Sequence, residues 1–297
     1  MKLAADLGGT HARFALQAAS LRCIDLPARD FASLDAALAA ALAAFDIDDA
    51  HGIDAVLAVA GPVRGSTAAF TNLDWSADPD ALRARFGFAS LRLLNDVECA
   101  ARAAAAALPN DVVAVHPGPR RDDGRHVLIS VGTGLGVAYW HHSSVEASEA
   151  GHSGFAPATE WDHAFLADVC GDGRRASWER VLSGPGLARV GTFVAGAPYE
   201  DGAEVTQHAA QGDPLATDAV KRFSRLLGTF AGDLVLAAPV TGGVLLAGGV
   251  LAGLGPHFDA AEFIAGFRDK GAMAGLPATL PVWRTADGTL ALRGALL

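Results

Sequence analysis

The sequence predicts an α/β protein with a largely parallel sheet, divided into two lobes. Short apolar runs of strand character alternate with Ala-rich stretches of helical periodicity over most of the chain, which is the pattern of repeated β-α units. Its 297 residues fill one large domain or two ordinary ones, because single cores stop growing near roughly 250–300 residues. One arrangement also occurs twice: Lys2–Leu16 (KLAADLGGTHARFAL) and Val127–Trp140 (VLISVGTGLGVAYW) each read as an apolar strand, a tight Gly/Thr turn and a second apolar strand. A fold built from two such halves is expected to hold its ligand in a cleft between them.

Taken in order, Lys2–Asp6 and Arg13–Gln17 are strands on either side of Gly8-Gly9-Thr10, and Leu34–Phe45 places its apolar residues at helical spacing. Ala55–Val59 and Leu91–Leu94 are apolar runs short enough to be buried strands. Val97–Leu108 is a helix stopped by Pro109, and Pro109-Asn110-Asp111 is the expected hinge. Val127–Val131 begins the second series of strands, followed by helices at Trp161–Val169, Pro185–Val194, Asp213–Val235 and Asp259–Phe267. From Leu234 to Leu254 no residue is charged, a length at which a membrane helix becomes a candidate. Pro239, Gly242-Gly243 and Gly248-Gly249 divide that stretch and no Lys/Arg excess flanks it, so Val244–Ala247 reads instead as a strand buried on both faces.

Composition narrows the function classes. With 51% apolar and 19% charged residues the chain buries enough surface to fold, which excludes disorder. The 23 Lys+Arg against 33 Asp+Glu give a net charge of −10 without a basic cluster, so nucleic acid is not an expected partner and a small molecule is. Cys23, Cys99 and Cys170 are widely spaced with no C-x-x-C pair. That predicts neither a disulfide framework nor a structural zinc site, and it fits the cytosol. Asp6 interrupts the N-terminal apolar residues before a signal-peptide core can form.

Several motifs carry chemistry, each with a plain structural alternative. Asp6-Leu7-Gly8-Gly9-Thr10 sets a carboxylate at a strand end before a turn whose backbone N–H groups can close on an anion, with the Thr hydroxyl as a further donor. The alternative is the tip of a hairpin. Gly132-Thr133-Gly134-Leu135-Gly136 repeats the idea, but its spacing is neither that of a dinucleotide fingerprint nor of a P-loop, and it leads into a strand. Asn95-Asp96 ends a strand just before a helix. Asn95 with Glu98 resembles a capping box, while Asp96 is placed to accept a proton from an attacking hydroxyl. Glu149-Ala150-Gly151-His152 lies in a Gly-rich loop suited to a polyol. Glu160-Trp161-Asp162-His163 is a second E-x-x-H, yet a di-iron site needs long inward-facing helices that this β-rich context does not supply. Asn72 in Thr71–Trp75 can offer an amide to a sugar, Trp75 itself reads as core, Glu179 precedes the turn Ser183-Gly184-Pro185-Gly186, and His141 and His142 read as solvated loop residues.

Eight segments, DLGGTHAR, AGPVRGSTAAFTNLDW, LLNDVECAA, SVGTGLGVA, EAGHSGFAP, ERVLSGPGL, GGVLLAGGV and FRDKG, occur in the order found in the bacterial glucokinase family, and together they resemble it from near residue 1 to near residue 297. The resemblance implies an actin/sugar-kinase/Hsp70 fold, two ribonuclease-H-like lobes around a central cleft. Residues 1–108 plus 286–297 would form the small lobe and 109–285 the large one. It implies an ATP-dependent glucokinase that passes the γ-phosphate of ATP to the 6-hydroxyl of glucose and so feeds glycolysis. Asp96 would be the general base, and Asn72, Asn95, Asp96, Glu149, His152 and Glu179 would meet the sugar. Asp6, Gly8, Gly9 and Thr10 would form the first phosphate loop, Gly132, Thr133 and Gly134 the second, with Gly248 and Gly249 on the adenosine side and Mg²⁺ held by Asp6 through water. A cytoplasmic homodimer without membrane or nucleic-acid partners is implied as well. His11 stands where the family pattern carries Asn, the C-terminal helix is short, and the Cys-rich zinc motif of the repressor/open-reading-frame/kinase group is absent. Related alternatives are a kinase of another hexose or amino sugar, and an inactive sugar sensor on the same fold.

Overall fold

A computed structural model describes the chain except for Pro62, Gly65, Ser66, residues 70–74 and Arg120; for 63–64 and 67–69 the description is of the backbone. The chain divides into two compact units, Met1–Leu108 with Thr289–Leu297, and Pro109–Gly288.

The first unit runs β1 (Lys2–Leu7), β2 (His11–Gln17), β3 (Leu21–Pro27), α1 (Leu34–Ala44), β4 (Asp54–Val59), three short strands β5 (Val63–Arg64), β6 (Thr67–Ala69) and β7 (Ser76–Ala77), then α2 (Pro79–Phe86), β8 (Ser90–Asn95) and α3 (Asp96–Ala106). Its main sheet has the order β3-β2-β1-β4-β8. β1, β2 and β3 form an antiparallel meander, while β4 and β8 add parallel to β1. The second unit runs β9 (Val113–His116), β10 (His126–Val131), β11 (Leu135–His141), β12 (Ser144–Ser148), α4 (Glu160–Val169), α5 (Gly184–Ala195), α6 (Gly202–Ala210), α7 (Pro214–Ala237), β13 (Gly243–Ala247), α8 (Gly249–Leu254), α9 (Ala260–Arg268), α10 (Gly275–Ala278) and β14 (Val282–Arg284), before α11 (Leu290–Leu296) returns to the first. Its sheet order is β12-β11-β10-β13-β14-β9. The repeat seen in the sequence therefore extends beyond one hairpin: β10-β11-β12-β13-β14 reproduce the meander and parallel additions of β1-β2-β3-β4-β8, with β9 as an antiparallel edge.

Period-two alternation decides which way β1 faces. Leu3, Ala5 and Leu7 enter the core shared with Leu34, Ala37, Leu38 and Ala41 of α1. Ala4 points the other way, into a cluster of small residues with Ala15, Ala58, Cys99 of α3 and Leu292 and Ala295 of α11. Burial pushes the Cys99 thiol up to about 12, so it is an inert core group. The small residues let α11 approach α3 closely: a Cβ on Gly294 would run into the backbone of Cys99, lying 3.1 Å even from its Cα. Gly294→Ala is expected to destabilise the first unit by about 1–3 kcal/mol through overpacking. A thermal melt checks this, with Gly253→Ala as control, because nothing lies within 4 Å of a Cβ at that helical position.

The expected helices and buried strands are present, with shifts that have local causes. Ser33, Thr159, Ser183, Asp213 and Asp259 cap α1, α4, α5, α7 and α9 with their side chains. α3 stops at Ala106, not Leu108, and Ala107 is extended; the residue before Pro109 is driven out of helical geometry, so the chain leaves the helix earlier. α7 ends at Ala237 and all five residues of β13 are buried, as the uncharged stretch was read. No helix among the described residues is long and apolar enough to cross a membrane. β3 and β12 were not foreseen: both are edge strands with most side chains exposed, so they carry little apolar signal. Trp75 is buried, its Nε1 donating to the Phe31 carbonyl at 3.3 Å.

Candidate active site

In the first unit the parallel strands β1, β4 and β8 end together, and the turn between β1 and β2 consists of Gly8, Gly9 and Thr10. Ligands of such sheets gather at the carboxyl ends of the strands. Gly8 N–H donates to the carbonyl of His11 at 2.9 Å and Ala28 N–H to that of Thr10 at 2.9 Å. The turn is thus closed by backbone groups, and the imidazole in place of an amide at position 11 does not disturb it. His11 instead directs Nδ1 to Asp25 Oδ1 at 2.9 Å.

Asp6 stands one residue before the end of β1, its side chain 16% exposed. Burial raises its proton affinity, and the Arg13 guanidinium, with Nη1 3.5 Å from Asp6 Oδ2, works in the opposite direction without fully offsetting it. A buried carboxylate whose charged form is disfavoured gains from a hard cation, so Asp6 fits the role of a Mg²⁺ ligand acting directly or through water. No group of three or more His, Cys, Asp or Glu side chains among the described residues could hold a metal by itself. The Glu160–His163 motif forms the first turn of α4, where Asp162 accepts from Ala158 and Thr159 N–H as part of a capping box.

At the end of β8, Asn95 caps α3: its Oδ1 accepts from Val97 N–H at 3.0 Å and Glu98 N–H at 3.1 Å, and its Nδ2 donates to the Gly61 carbonyl at 3.1 Å. Glu98 does not complete a capping box; it pairs with Arg102 at 2.8 Å. Asp96 occupies the first helical position, half-buried, with Oδ1 accepting from Val97 N–H at 2.8 Å. Its carboxylate is thereby held at a helix N-terminus, where negative charge is favoured.

In the second unit the turn Gly132, Thr133, Gly134 between β10 and β11 is the counterpart of the first. Gly132 N–H donates to the Gly134 carbonyl at 2.9 Å, and Gly184 N–H, at the start of α5, donates to the Gly132 carbonyl at 2.8 Å. Glu179 braces the exit of the turn, Oε2 accepting from Leu135 N–H at 3.0 Å. Gly248 begins the step from β13 into α8 at φ +106, against the backbone of Val131. At Gly249 nothing lies within 4 Å of a Cβ, so packing does not demand glycine there.

The polyol-suited loop is laced to the segment before Glu179 by backbone bonds: Glu179 N–H to Gly151 O at 2.8 Å, Trp178 N–H to Ser153 O at 3.0 Å and Phe155 N–H to Ala176 O at 3.2 Å. Gly151 is pressed against the Leu135 carbonyl, leaving no room for a Cβ. This lacing brings together three residues separated in sequence. His152 stands between two carboxylates, Nε2 3.7 Å from Glu149 Oε2 and Nδ1 3.7 Å from Glu179 Oε1. This group, with Glu149 and His152 exposed and Glu179 half-buried, offers hydroxyls carboxylate acceptors and an imidazole donor/acceptor. Asn72 lies outside the described residues. Arg13 and Asp25 were missed by the sequence reading; Asp6 and Arg13 are directly paired across β1 and β2, the placement of a cross-strand ion pair.

Two α/β units of the same strand order, each with a glycine turn at the carboxyl ends of its strands, form the actin-like fold of ribonuclease-H-like lobes, and similarity to a solved glucokinase of that fold places the chain among its sugar kinases. The chain belongs to the glucokinase family, whose profile matches residues 3–297. It is 33% identical to the glucokinase of Caulobacter sp. (strain K31), over 99% of this chain and 93% of that protein. It is 35% identical to the glucokinase of Sinorhizobium medicae (strain WSM419), over 98% and 90%. A crystal structure of glucokinase from an Antarctic psychrotroph matches with a TM-score of 0.81 at 30% identity, over 99% of this chain and 97% of that one. The glucokinase of Balamuthia mandrillaris in complex with glucose has the same fold, with a TM-score of 0.86 at 22% identity over 99% and 92%. The protein is accordingly an enzyme, a glucose kinase.

Proposed function

We propose that the protein transfers the γ-phosphate of ATP to the 6-hydroxyl of glucose with Asp96 as general base. The observation that carries this is the carboxylate of Asp96, fixed at the start of α3 in the first unit; the second unit by itself holds a carboxylate–imidazole–carboxylate group, Glu149, His152 and Glu179, suited to hydroxyls.

Asp96 accepts the proton of the 6-hydroxyl as that oxygen forms its bond to the γ-phosphorus; the bond from phosphorus to the β,γ-bridging oxygen breaks and ADP leaves with the electron pair. Such transfer needs alignment and charge neutralisation more than covalent help. Asn95, whose Oδ1 is engaged in the cap, has an amide proton beyond the one given to Gly61 with which to meet the sugar. Glu149, His152 and Glu179 orient the remaining hydroxyls, with Asn72 as a further contact. The turns Gly8, Gly9 and Thr10 and Gly132, Thr133 and Gly134 hold phosphate oxygens, Gly8 and Gly132 N–H closing each turn and the N–H groups that follow them donating to the phosphates, with Gly248 and Gly249 toward the adenosine. Mg²⁺, held by Asp6, neutralises phosphate charge when bound. An acidic protein of net charge −10 can bind a polyanion this way because the attraction is local.

A cytoplasmic enzyme feeding glycolysis, and a homodimer, follow from the family resemblance; the free cysteines Cys23, Cys99 and Cys170 are consistent with that compartment. The test is ATP consumption measured with glucose, mannose, fructose and N-acetylglucosamine. Turnover highest on glucose is expected. A higher rate on another sugar would make the protein a kinase of that sugar, and no turnover with glucose still raising the melting temperature would make it a sensor.

A further inference from the structure

We propose that Asp25, on the edge strand β3, is a positioning residue that holds Arg13 off the oxygens of Asp6 and so keeps Asp6 open to a dication. The inference rests on Asp6 being the Mg²⁺ carboxylate.

The antiparallel register pairs Asp6 with Arg13 across β1 and β2, and Arg13 with Asp25 across β2 and β3. Side chains at directly paired positions share a face of the sheet, so the three form a ladder with the guanidinium in the middle. Arg13 is divided unequally. Its Nε donates to Asp25 Oδ2 at 3.2 Å, whereas its Nη1 stays 3.5 Å from Asp6 Oδ2. Asp25 is in turn steadied at its other oxygen, Oδ1, by His11 Nδ1 at 2.9 Å. The carboxylate that anchors Arg13 is therefore fixed at both oxygens, and His11 has a part in fixing it.

Guanidinium and carboxylate planes readily close into a two-pronged pair. If Arg13 closed on Asp6 in that way, both carboxylate oxygens would be taken by N–H donors and a cation would have to displace them. With Nε committed to Asp25, the guanidinium approaches Asp6 through Nη1 alone, 3.5 Å from Oδ2, without closing on both oxygens. Loss of Asp25 frees Nε and lets the fork close on Asp6, so a dication is bound less readily.

The test uses Asp25→Ala and Asp25→Asn in the full chain, the second retaining an oxygen to accept from Arg13 Nε. ADP binding is titrated calorimetrically across a range of MgCl2 concentrations, and the Mg²⁺ dependence of glucose phosphorylation is measured in parallel. Asp25→Ala is expected to raise the Mg²⁺ concentration for half-maximal ADP binding by about three- to fivefold, the scale of one partly exposed ion pair. Asp25→Asn is expected to stay within about twofold of the parent, and kcat at saturating Mg²⁺ and KM for glucose are expected to hold in both. An unchanged Mg²⁺ midpoint in Asp25→Ala, with or without a lower melting temperature, would overturn the proposal. So would an Asp25→Asn variant as impaired as Asp25→Ala. If ADP binding by the parent itself does not depend on Mg²⁺, the assignment of Asp6 fails and the inference with it.

Discussion

Asp96→Asn is expected to lower turnover by about 10² or more while leaving glucose binding close to that of the parent. The two side chains have nearly the same shape, and the amide oxygen can still accept from Val97 N–H, the contact that fixes Asp96 at 2.8 Å. What the amide lacks is basicity: it cannot take the hydroxyl proton as the oxygen attacks phosphorus. Loss of a negative charge at the first position of α3 also weakens the helix N-terminus, by about 0.3–1 kcal/mol, which is small beside the catalytic effect. kcat from ATP consumption and glucose affinity from calorimetry separate the two. A folded variant with near-normal kcat would remove Asp96 from the role of base.

Asn95 shows why residue spacing alone could not assign this region. A cap needs a side-chain oxygen just before the first helical turn, and a ligand at the carboxyl end of a parallel strand needs a polar side chain at the same place. The fold satisfies the first requirement outright, through Val97 and Glu98 N–H, and leaves the amide nitrogen shared between Gly61 and whatever binds there. The capping box suggested by Glu98 does not form, because Arg102 four residues on offers a charged partner that a single backbone N–H cannot match.

The apolar period of β1, β4, β10 and β13 and the repeated glycine turns were legible because burial imposes them on the sequence. The ladder Asp6–Arg13–Asp25 was not, since strand register across β3 is a property of the pairing and β3 has too little buried surface to announce itself. The group of Glu149, His152 and Glu179 was legible as residue types only. What brings Glu179 to His152 is the backbone lacing of 151–155 to 176–179, and backbone bonds leave no mark on side-chain identity except at Gly151.

Gly248→Ala is expected to destabilise the second unit by about 2–5 kcal/mol, combining strain at a positive φ with a forced contact, and to weaken ATP binding more than glucose binding. The conformation at φ +106 is one that side chains rarely adopt, and a Cβ there would lie 2.6 Å from both the carbonyl carbon and the nitrogen of Val131. Val131 ends β10 and is the root of the turn Gly132–Gly134. Val131 pairs with Leu135 of β11 and the rest of β10 is held between β11 and β13, so the strand cannot shift without carrying the turn with it. Gly249→Ala is the informative partner: with ordinary φ and open space around its Cβ, it is expected to leave the melting temperature nearly unchanged. A higher KM for ATP in Gly249→Ala then reports close approach of the nucleotide to that backbone, whereas a higher KM in Gly248→Ala reports the displaced turn. If Gly248→Ala melts with the parent and keeps its KM for ATP, the step from β13 into α8 does not support the second phosphate turn.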